Sequence, residues 1–237
     1  MFAAHRSGHH GILNWFCTQH GSITHYNNAH QRTIDRRLFR FVKKHAITTY
    51  GEDPQDIIFN LEGFRFHRWE EERWGDTKTI LEAESHQPIL VIRRFRNWLA
   101  SCASKSYNSL EGKPTVELVT KWHTLLGNYR NHLKAAMGGE TPFDNLIIIR
   151  FDDWFVSKDY RRRIAEQLGV DFTDAGLNRV PKFGHGSTFD EQSYDGHAQD
   201  MKVLSRWQQA AGTPTYEYVL KHNQDLDELS EDFFASI

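Results

Sequence analysis

The stretch Phe2-Ala3-Ala4-His5-Arg6-Ser7-Gly8-His9-His10-Gly11-Ile12-Leu13-Asn14-Trp15-Phe16 predicts a β-strand, a turn and an α-helix in immediate succession. Residues 2–4 are the strand-type run, which breaks at Ser7 and Gly8, and residues 11–16 are typical of a helix. The same order, a short β-type run followed by a helix-type run, recurs along the chain. This recurrence favours an α/β protein with a largely parallel sheet.

The other predicted elements follow the periodicity of the apolar residues. Continuous or alternating apolar runs predict strands at residues 22–26, 57–61, 89–92 and 146–149. Apolar residues three or four positions apart predict helices over residues 34–42, 119–133, 160–168 (ending at Gly169) and 201–211. We therefore expect a three-layer α/β/α fold with a mainly parallel central sheet, in a single domain over residues 1–237.

Charge and composition limit the classes of partner. The chain has 29 Lys and Arg residues against 31 Asp and Glu residues, so a globally basic nucleic-acid binder is disfavoured. No apolar run approaches the roughly 18 residues that span a bilayer, and no secretory signal is recognisable. Cys17 and Cys102 suit a reducing compartment. We expect a cytoplasmic protein with no nucleic-acid or membrane partner.

The turn after the first predicted strand has the chemistry of an anion site. Ligands of open α/β sheets bind at the carboxyl ends of strands, and a helix N-terminus offers N–H groups and a positive dipole to phosphate or sulfate. Glycines let the backbone approach an anion, while hydroxyl, guanidinium and imidazole groups add donors. The candidate residues are Arg6, Ser7, Gly8, His9, His10 and Gly11.

One missing motif and one alternative limit the interpretation of this turn. It contains no Gly-Lys-Ser or Gly-Lys-Thr triplet, so it is not a Walker A loop and nucleoside triphosphate hydrolysis is disfavoured. On the local residues alone, an ordinary glycine-containing turn between a strand and a helix stays an alternative.

A second candidate segment follows the predicted strand at residues 89–92. Arg93, Arg94 and Arg96 stand at the start of a predicted helix, and Ser101 follows Arg93 by eight positions, about two helical turns. Arginine and serine so placed are suited to share a phosphate. Basic residues oppose the dipole at a helix N-terminus, which favours an anion between them. The alternative is a solvated basic helix start.

Together these segments resemble the sulfotransferase superfamily, whose members use 3′-phosphoadenosine 5′-phosphosulfate (PAPS) as sulfuryl donor. Residues 6–15 are similar to the 5′-phosphosulfate loop, in the form Arg-Ser-Gly-x-His of a small bacterial type. The spacing of Arg93 and Ser101 is similar to the family's 3′-phosphate motif. Residues 148–154 resemble its fifth-strand segment, and residues 184–190 resemble its late glycine-rich loop. The resemblance covers most of the chain.

The resemblance implies a fold like that of P-loop NTPases and transfer of a sulfuryl group to a hydroxyl, less readily an amine, of a small-molecule or glycan acceptor. It implies that residues 7–11 cradle the 5′-phosphosulfate, and that Arg93 and Ser101 hold the 3′-phosphate. Gly186 and Ser187 are weaker candidates for that phosphate. Arg6 stands where many members have a lysine, and it can neutralise charge without releasing a proton. The two turns would then converge on one nucleotide.

Proton removal from the acceptor requires a base near the carboxyl ends of the strands. Glu62 follows the third predicted strand and resembles the family's acidic position. It is the first candidate, with His67 and His25 as alternatives. The alternative without a function is that Glu62 is a surface glutamate before a turn.

No metal is expected, because adjacent histidines such as His9 and His10 would point different ways on a helix and no Glu-x-x-His or Cys-x-x-Cys pattern accompanies them. Two rival functions stay open: a P-loop phosphotransferase or kinase, and a non-catalytic protein that binds an anionic ligand. The sequence leaves the oligomeric state open. Phe233 and Phe234 are expected to dock on the body of the protein or on a second subunit.

Overall fold

The computed structural model describes residues 1–26, 47–52, 56–63, 85–104, 109–110, 115–181 and 189–236. The predicted helix over residues 34–42 lies outside them. The strands in the described residues are β1 (Phe2–Ala3), β2 (Ile23–Tyr26), β3 (Ile47–Tyr50), β4 (Asp56–Phe59), β5 (Leu61–Glu62), β6 (Ile89–Ile92) and β7 (Ile147–Arg150).

The helices in the same part of the chain are α1 (His9–His20), α2 (Phe95–Ala103), α3 (Val116–Ala136), α4 (Phe151–Val156), α5 (Lys158–Gln167), α6 (Arg206–Ala210), α7 (Pro214–Lys221) and α8 (Gln224–Ala235). A single 3₁₀ turn, Ala198–Asp200, precedes α6. None of these helices combines the length and the apolar character that crossing a bilayer requires.

Four strands form one sheet in the order β5-β1-β6-β7, and every pair in it is parallel. The prediction of an α/β protein with a mainly parallel sheet is confirmed. A smaller sheet has the order β3-β2-β4, in which β2 pairs antiparallel with β3 and parallel with β4. Because β1 lies inside the larger sheet, the turn that follows it lies between the ends of two neighbouring strands.

The single strand predicted over residues 57–61 is divided between the two sheets. Its first part, β4, pairs with β2, whereas β5 pairs with β1. The change occurs at Asn60, whose backbone N–H donates to the Tyr26 carbonyl at 3.3 Å. The N–H of the next residue, Leu61, donates to the Met1 carbonyl at 2.9 Å. The expectation of one uninterrupted strand was wrong because successive residues take different pairing partners.

The sheet has a hydrophobic core on each face, as the alternation of its residues shows. Phe2, Leu90 and Ile92 pack into one core with side chains of α2, α3, α7 and α8. Ala3 and Val91, one position along, pack into the other core with side chains of α1, α4 and α5. Side chains of a strand alternate between faces, so β1 and β6 each contribute to both cores. This arrangement is compatible with the three-layer expectation.

The long helix predicted over residues 119–133 is confirmed as α3, and the Thr115 side chain caps it by accepting from the N–H of Leu118 at 3.2 Å. The helix predicted over residues 160–168 is α5, followed by Gly169 at φ 68°.

The helix predicted over residues 201–211 was too long, since only α6 forms there. The carbonyl of Val203 accepts from Arg93 and that of Leu204 accepts from Asn97. The N–H of Trp207 donates to the Asn97 side chain at 3.3 Å. Residues 203–207 therefore bond to Asn97 in α2 and to Arg93 at the end of β6, in place of the hydrogen bonds that would continue a helix.

The C-terminal helix α8 packs on the body of the protein. Phe233 and Phe234 are buried in the core on the α2 and α3 side. The guanidinium of Arg150, at the end of β7, lies 4.8 Å from the centre of the Phe234 ring and donates to the Phe234 carbonyl at 2.6 Å. The sequence left two positions open for these phenylalanines, on the body of the protein or on a second subunit. The structure shows them packed on the body of the protein.

Candidate functional site

The turn between β1 and α1 has an unusual backbone. Arg6 adopts φ 68° and Gly8 adopts φ 84°, both in the left-handed region. A Cβ atom at Gly8 would lie 2.3 Å from the Phe151 ring, so both the φ angle and the space require glycine there. For Arg6, which has a Cβ, the left-handed conformation costs about 1 kcal/mol or more, and such strain is found most often at functional sites.

The sequence of α1 itself provides no side chain that would neutralise the positive, N-terminal end of the helix. Its N-cap residue, Gly8, provides no capping side chain, and its first turn contains no acidic residue. The first N–H groups of an α-helix have no intrahelical acceptors and carry the positive end of the dipole. This end of α1 therefore favours an anion, and the carboxylate of Glu62 lies beside its first two residues, His9 and His10.

Arg93, at the end of β6, brings the second predicted segment against this turn. One guanidinium nitrogen donates to the Arg6 carbonyl at 3.3 Å and to Ser101 Oγ at 3.0 Å. The indole N–H of Trp98 donates to the carbonyl of His5 at 2.6 Å. The structure thus places Arg6, Arg93 and Ser101 next to one another, although they are far apart in the sequence.

Arg93 is 2% exposed, and its second terminal nitrogen donates to the Val203 carbonyl at 2.6 Å. Burial, followed by the nearby charge of Arg206, lowers the pKa of Arg93 to about 10, so it stays protonated at neutral pH. Its guanidinium serves three acceptors of this chain. A phosphate bound there would replace one of them, and a role of Arg93 and Ser101 in holding a phosphate stays a prediction.

The other two arginines of this segment are paired with carboxylates of the same chain. Arg94 forms an ion pair with Glu231, and its backbone N–H donates to Asp152 Oδ2 at 3.0 Å. Arg96 donates to both oxygens of Asp227 at 2.8–3.1 Å. Arg93 is buried, Arg94 is half-buried and Arg96 is exposed, so a solvated basic helix start describes part of this segment and not Arg93. The carboxylates that face Arg94 and Arg96 belong to α4 and α8.

Glu62 ends β5, at the carboxyl edge where it was expected, and three histidines surround it. Its carboxylate lies 2.6 Å from His5 Nδ1, 3.1 Å from His9 Nε2 and 3.5 Å from His10 Nε2. The rings of His9 and His10 are 4.1 Å apart between centres. The expectation that adjacent histidines would diverge is wrong here, because both side chains reach the same carboxylate from the start of α1.

The environment of Glu62 keeps it ionised. Burial by itself would raise its pKa, but hydrogen bonds and charge from His5 and His9 outweigh burial and hold the pKa well below its usual range. An isolated carboxylate of such low pKa is a weak base. The histidines beside Glu62 are therefore better suited than Glu62 alone to accept a proton at this site. His5 is the most open member, with a side chain 44% exposed against 16% for Glu62.

Behind the histidines lies a row of buried polar groups. His25 Nε2 and Asn60 Oδ1 are 2.7 Å apart, and Asn60 Nδ2 lies 3.3 Å from His9 Nε2. Ser7 Oγ is 3.4 Å from His9 Nδ1. Burial lowers the pKa of His25 to about 4. His25 is enclosed behind Asn60 and is not placed to meet an acceptor.

Sequence reasoning missed two contributors to this site, His5 as a partner of Glu62 and Asn60 as a partner of His9. Asn60 shared the signal that identified Glu62, since both stand where a predicted strand ends. Three further predicted residues, His67, Gly186 and Ser187, lie outside the described residues.

Comparison with known proteins adds no family. The chain matches no protein-family model, and no curated protein matches it significantly. The fold and the site define an α/β protein with a glycine-containing turn between β1 and α1, beside a cluster of three histidines and a glutamate.

Proposed function

We propose that this protein is a PAPS-dependent sulfotransferase. It would move a sulfuryl group from PAPS to a hydroxyl, less readily an amine, of a small-molecule or glycan acceptor. The observation that carries the proposal is the hydrogen bonding of Arg93 to both Arg6 and Ser101, at 3.3 and 3.0 Å. It brings the two segments that resemble the family's phosphosulfate and 3′-phosphate motifs to one place, as binding of a single nucleotide requires.

The fold supports a P-loop-like arrangement. β1 lies inside a parallel sheet and leads directly through the turn at residues 4–8 into α1, in the strand–loop–helix order of that arrangement. In the proposed complex the start of α1 and residues 6–11 receive the 5′-phosphosulfate. Ser101 and Arg93 hold the 3′-phosphate, for which Arg93 exchanges one internal acceptor for a phosphate oxygen.

The proposed reaction breaks the bond between the donor's sulfur and its bridging phosphate oxygen and forms a bond from sulfur to the acceptor oxygen. Positioning and neutralisation of charge provide most of the rate, with Arg6 and the N–H groups of α1 facing the leaving phosphate. The acceptor proton passes to the cluster of histidines and Glu62. Glu62 holds the Nδ1 side of His5, so the opposite ring nitrogen takes the proton. No step in this scheme needs a metal.

The proposal is tested by transfer of radiolabelled sulfuryl groups from PAPS to a panel of glycans and small alcohols, in the presence of a chelator. We expect a labelled product with the unmodified chain, and about 100-fold less with Glu62→Gln. The matched control is Glu117→Gln, an exposed glutamate in the first turn of α3, with product formation unchanged.

Two results would contradict the proposal. Binding of the donor without transfer to any acceptor would identify a binding protein. Consumption of ATP that depends on magnesium would identify a phosphotransferase, although the missing Gly-Lys-Ser/Thr triplet disfavours it.

A further inference from the structure

We propose that His9, His10 and Glu62 form a binding site for a zinc-type divalent ion. The ligand atoms are Nε2 of each histidine and a carboxylate oxygen of Glu62, and all three lie within 4.8 Å of one another. Two of the three separations, from Glu62 Oε1 to the two nitrogens, are 3.1 and 3.5 Å. Zinc bonds of about 2.0–2.2 Å place tetrahedral ligand atoms about 3.4 Å apart. Two of the separations are therefore close to the required spacing, and the third, between the two histidine nitrogens, is at most 4.8 Å.

The electrostatics of the cluster favour a shared cation. Two imidazole nitrogens face the same oxygen, Glu62 Oε1, and a nitrogen that faces a carboxylate oxygen must either carry a proton or share a cation with it. One divalent ion satisfies both nitrogens and the oxygen at once. Imidazole and carboxylate ligands together favour zinc and similar transition metals over magnesium and calcium, which prefer oxygen ligands.

Neighbouring groups hold these ligands in place. Ser7 Oγ lies 3.4 Å from Nδ1 of His9, the ring nitrogen opposite the proposed metal-binding atom. His5 Nδ1 contacts the second oxygen of Glu62 at 2.6 Å and so orients the carboxylate. Such outer partners fix the ring and carboxylate orientations in metal sites and strengthen binding.

The exposure of the ligands gives the ion a route to the site and an open side. The His9 side chain is 3% exposed, whereas that of His10 is 22% exposed. Three protein ligands with one position left for water or another molecule are typical of zinc sites that exchange ligands. The site would link the start of α1 to the end of β5. The proposed transfer uses no metal and draws on the same three residues, so a bound zinc ion would compete with it for His9, His10 and Glu62.

The test is calorimetric titration of the chelator-treated full chain with zinc chloride, with no nucleotide present. We expect one zinc ion per chain, with a dissociation constant of about 1 µM or below. His10→Ala and Glu62→Gln should each weaken binding by about 100-fold or more, because each removes a ligand. Cobalt should give the visible absorption bands of a tetrahedral site, and these bands should be lost in His10→Ala.

The matched control is His20→Ala. His20 also faces a carboxylate, Asp56, at 3.2 Å, but this pair contains only one histidine. Zinc affinity should be unchanged in this variant. If His10→Ala does not fold, as judged by circular dichroism, His10→Gln replaces it. Absence of zinc uptake by the unmodified chain at about 100 µM, or equal affinity in the ligand variants and the unmodified chain, would overturn the proposal. Neither result depends on whether PAPS binds.

Discussion

The turns that begin α1 and α2 are built alike but are neutralised differently. Each follows a strand of the parallel sheet, β1 or β6, and each contains arginine. At α2 the chain provides its own partners, since the N–H of Phe95 donates to Ser230 Oγ and that of Arg94 donates to Asp152. At α1 the N-cap glycine has no side chain to cap the helix, and the nearby acid, Glu62, faces the side chains of His9 and His10.

This difference supports placing the proposed ligand at the start of α1. The segment with the most arginines uses its charge internally, to attach α4 and α8 to the start of α2. The segment with fewer charges has a strained turn and a glycine at the helix N-cap, with Glu62 and its histidines alongside. Arg93 joins the two segments through its bond to the Arg6 carbonyl. In the proposed function, the phosphosulfate therefore lies at the start of α1 and the 3′-phosphate lies at the junction.

The largest effect expected within this comparison is that of Gly8→Ala on stability. The added Cβ would overlap the Phe151 ring at 2.3 Å, at a φ that alanine rarely adopts. We expect a loss of about 4 kcal/mol in the free energy of unfolding, measured in urea. Gly11→Ala is the control, because its Cβ would meet Trp154 at an ordinary 3.6 Å within α1. It should leave stability unchanged or raise it by about 1 kcal/mol.

Arg93→Ala should have the next largest effect. It removes hydrogen bonds to two carbonyls and one hydroxyl in a buried place, so we expect a loss of about 3 kcal/mol in urea unfolding. Donor affinity, measured by calorimetry in the absence of urea, should fall as well. A variant as stable as the unmodified chain would show that Arg93 does not connect the two turns.

The pH dependence of stability should identify Glu62. Its pKa lies below the ordinary value of 4.5 in the folded protein, so its contribution is complete above about pH 4.5 and is lost as the pH falls further. The unmodified chain should be about 2 kcal/mol more stable than Glu62→Gln at pH 7. That difference should shrink below pH 4.5 in urea unfolding at a series of pH values. A difference that stays constant to pH 3 would contradict the assigned environment of Glu62.

The smallest effect should be that of Arg96→Ala, at the start of α2. Its side chain is 44% exposed and pairs with Asp227, so its loss should cost at most about 1 kcal/mol in urea unfolding. Donor affinity should not change, since this arginine is paired with Asp227 and not with the proposed donor. A clear fall in affinity would show that α2 uses its arginines for the ligand after all.

The features that sequence reasoning predicted depend on local patterns. Continuous apolar runs identified β6 and β7, the glycine-containing turn was located before α1, and Glu62 was expected at a strand end. The features it missed depend on distant partners. Arg94 meets Glu231 in α8, and the carbonyls of Val203 and Leu204 bond to Arg93 and Asn97 instead of continuing a helix. Periodicity carries no information on such pairs.

The approach of His9 and His10 to one carboxylate has the same origin. Spacing along a helix separates adjacent side chains, but it does not place Glu62, which arrives from a different strand. The change of sheet at Asn60 likewise depends on which strand lies alongside. Both features lie at the site, where contacts between elements that are distant in sequence determine the geometry.

The most direct test of the central claim compares the binding of 3′-phosphoadenosine 5′-phosphate and adenosine 5′-phosphate by calorimetry. If the two turns bind one nucleotide, the ligand with the 3′-phosphate should bind at least about tenfold more tightly, and Ser101→Ala should reduce this preference. No binding at millimolar ligand, or equal affinity for the two nucleotides, would contradict the account.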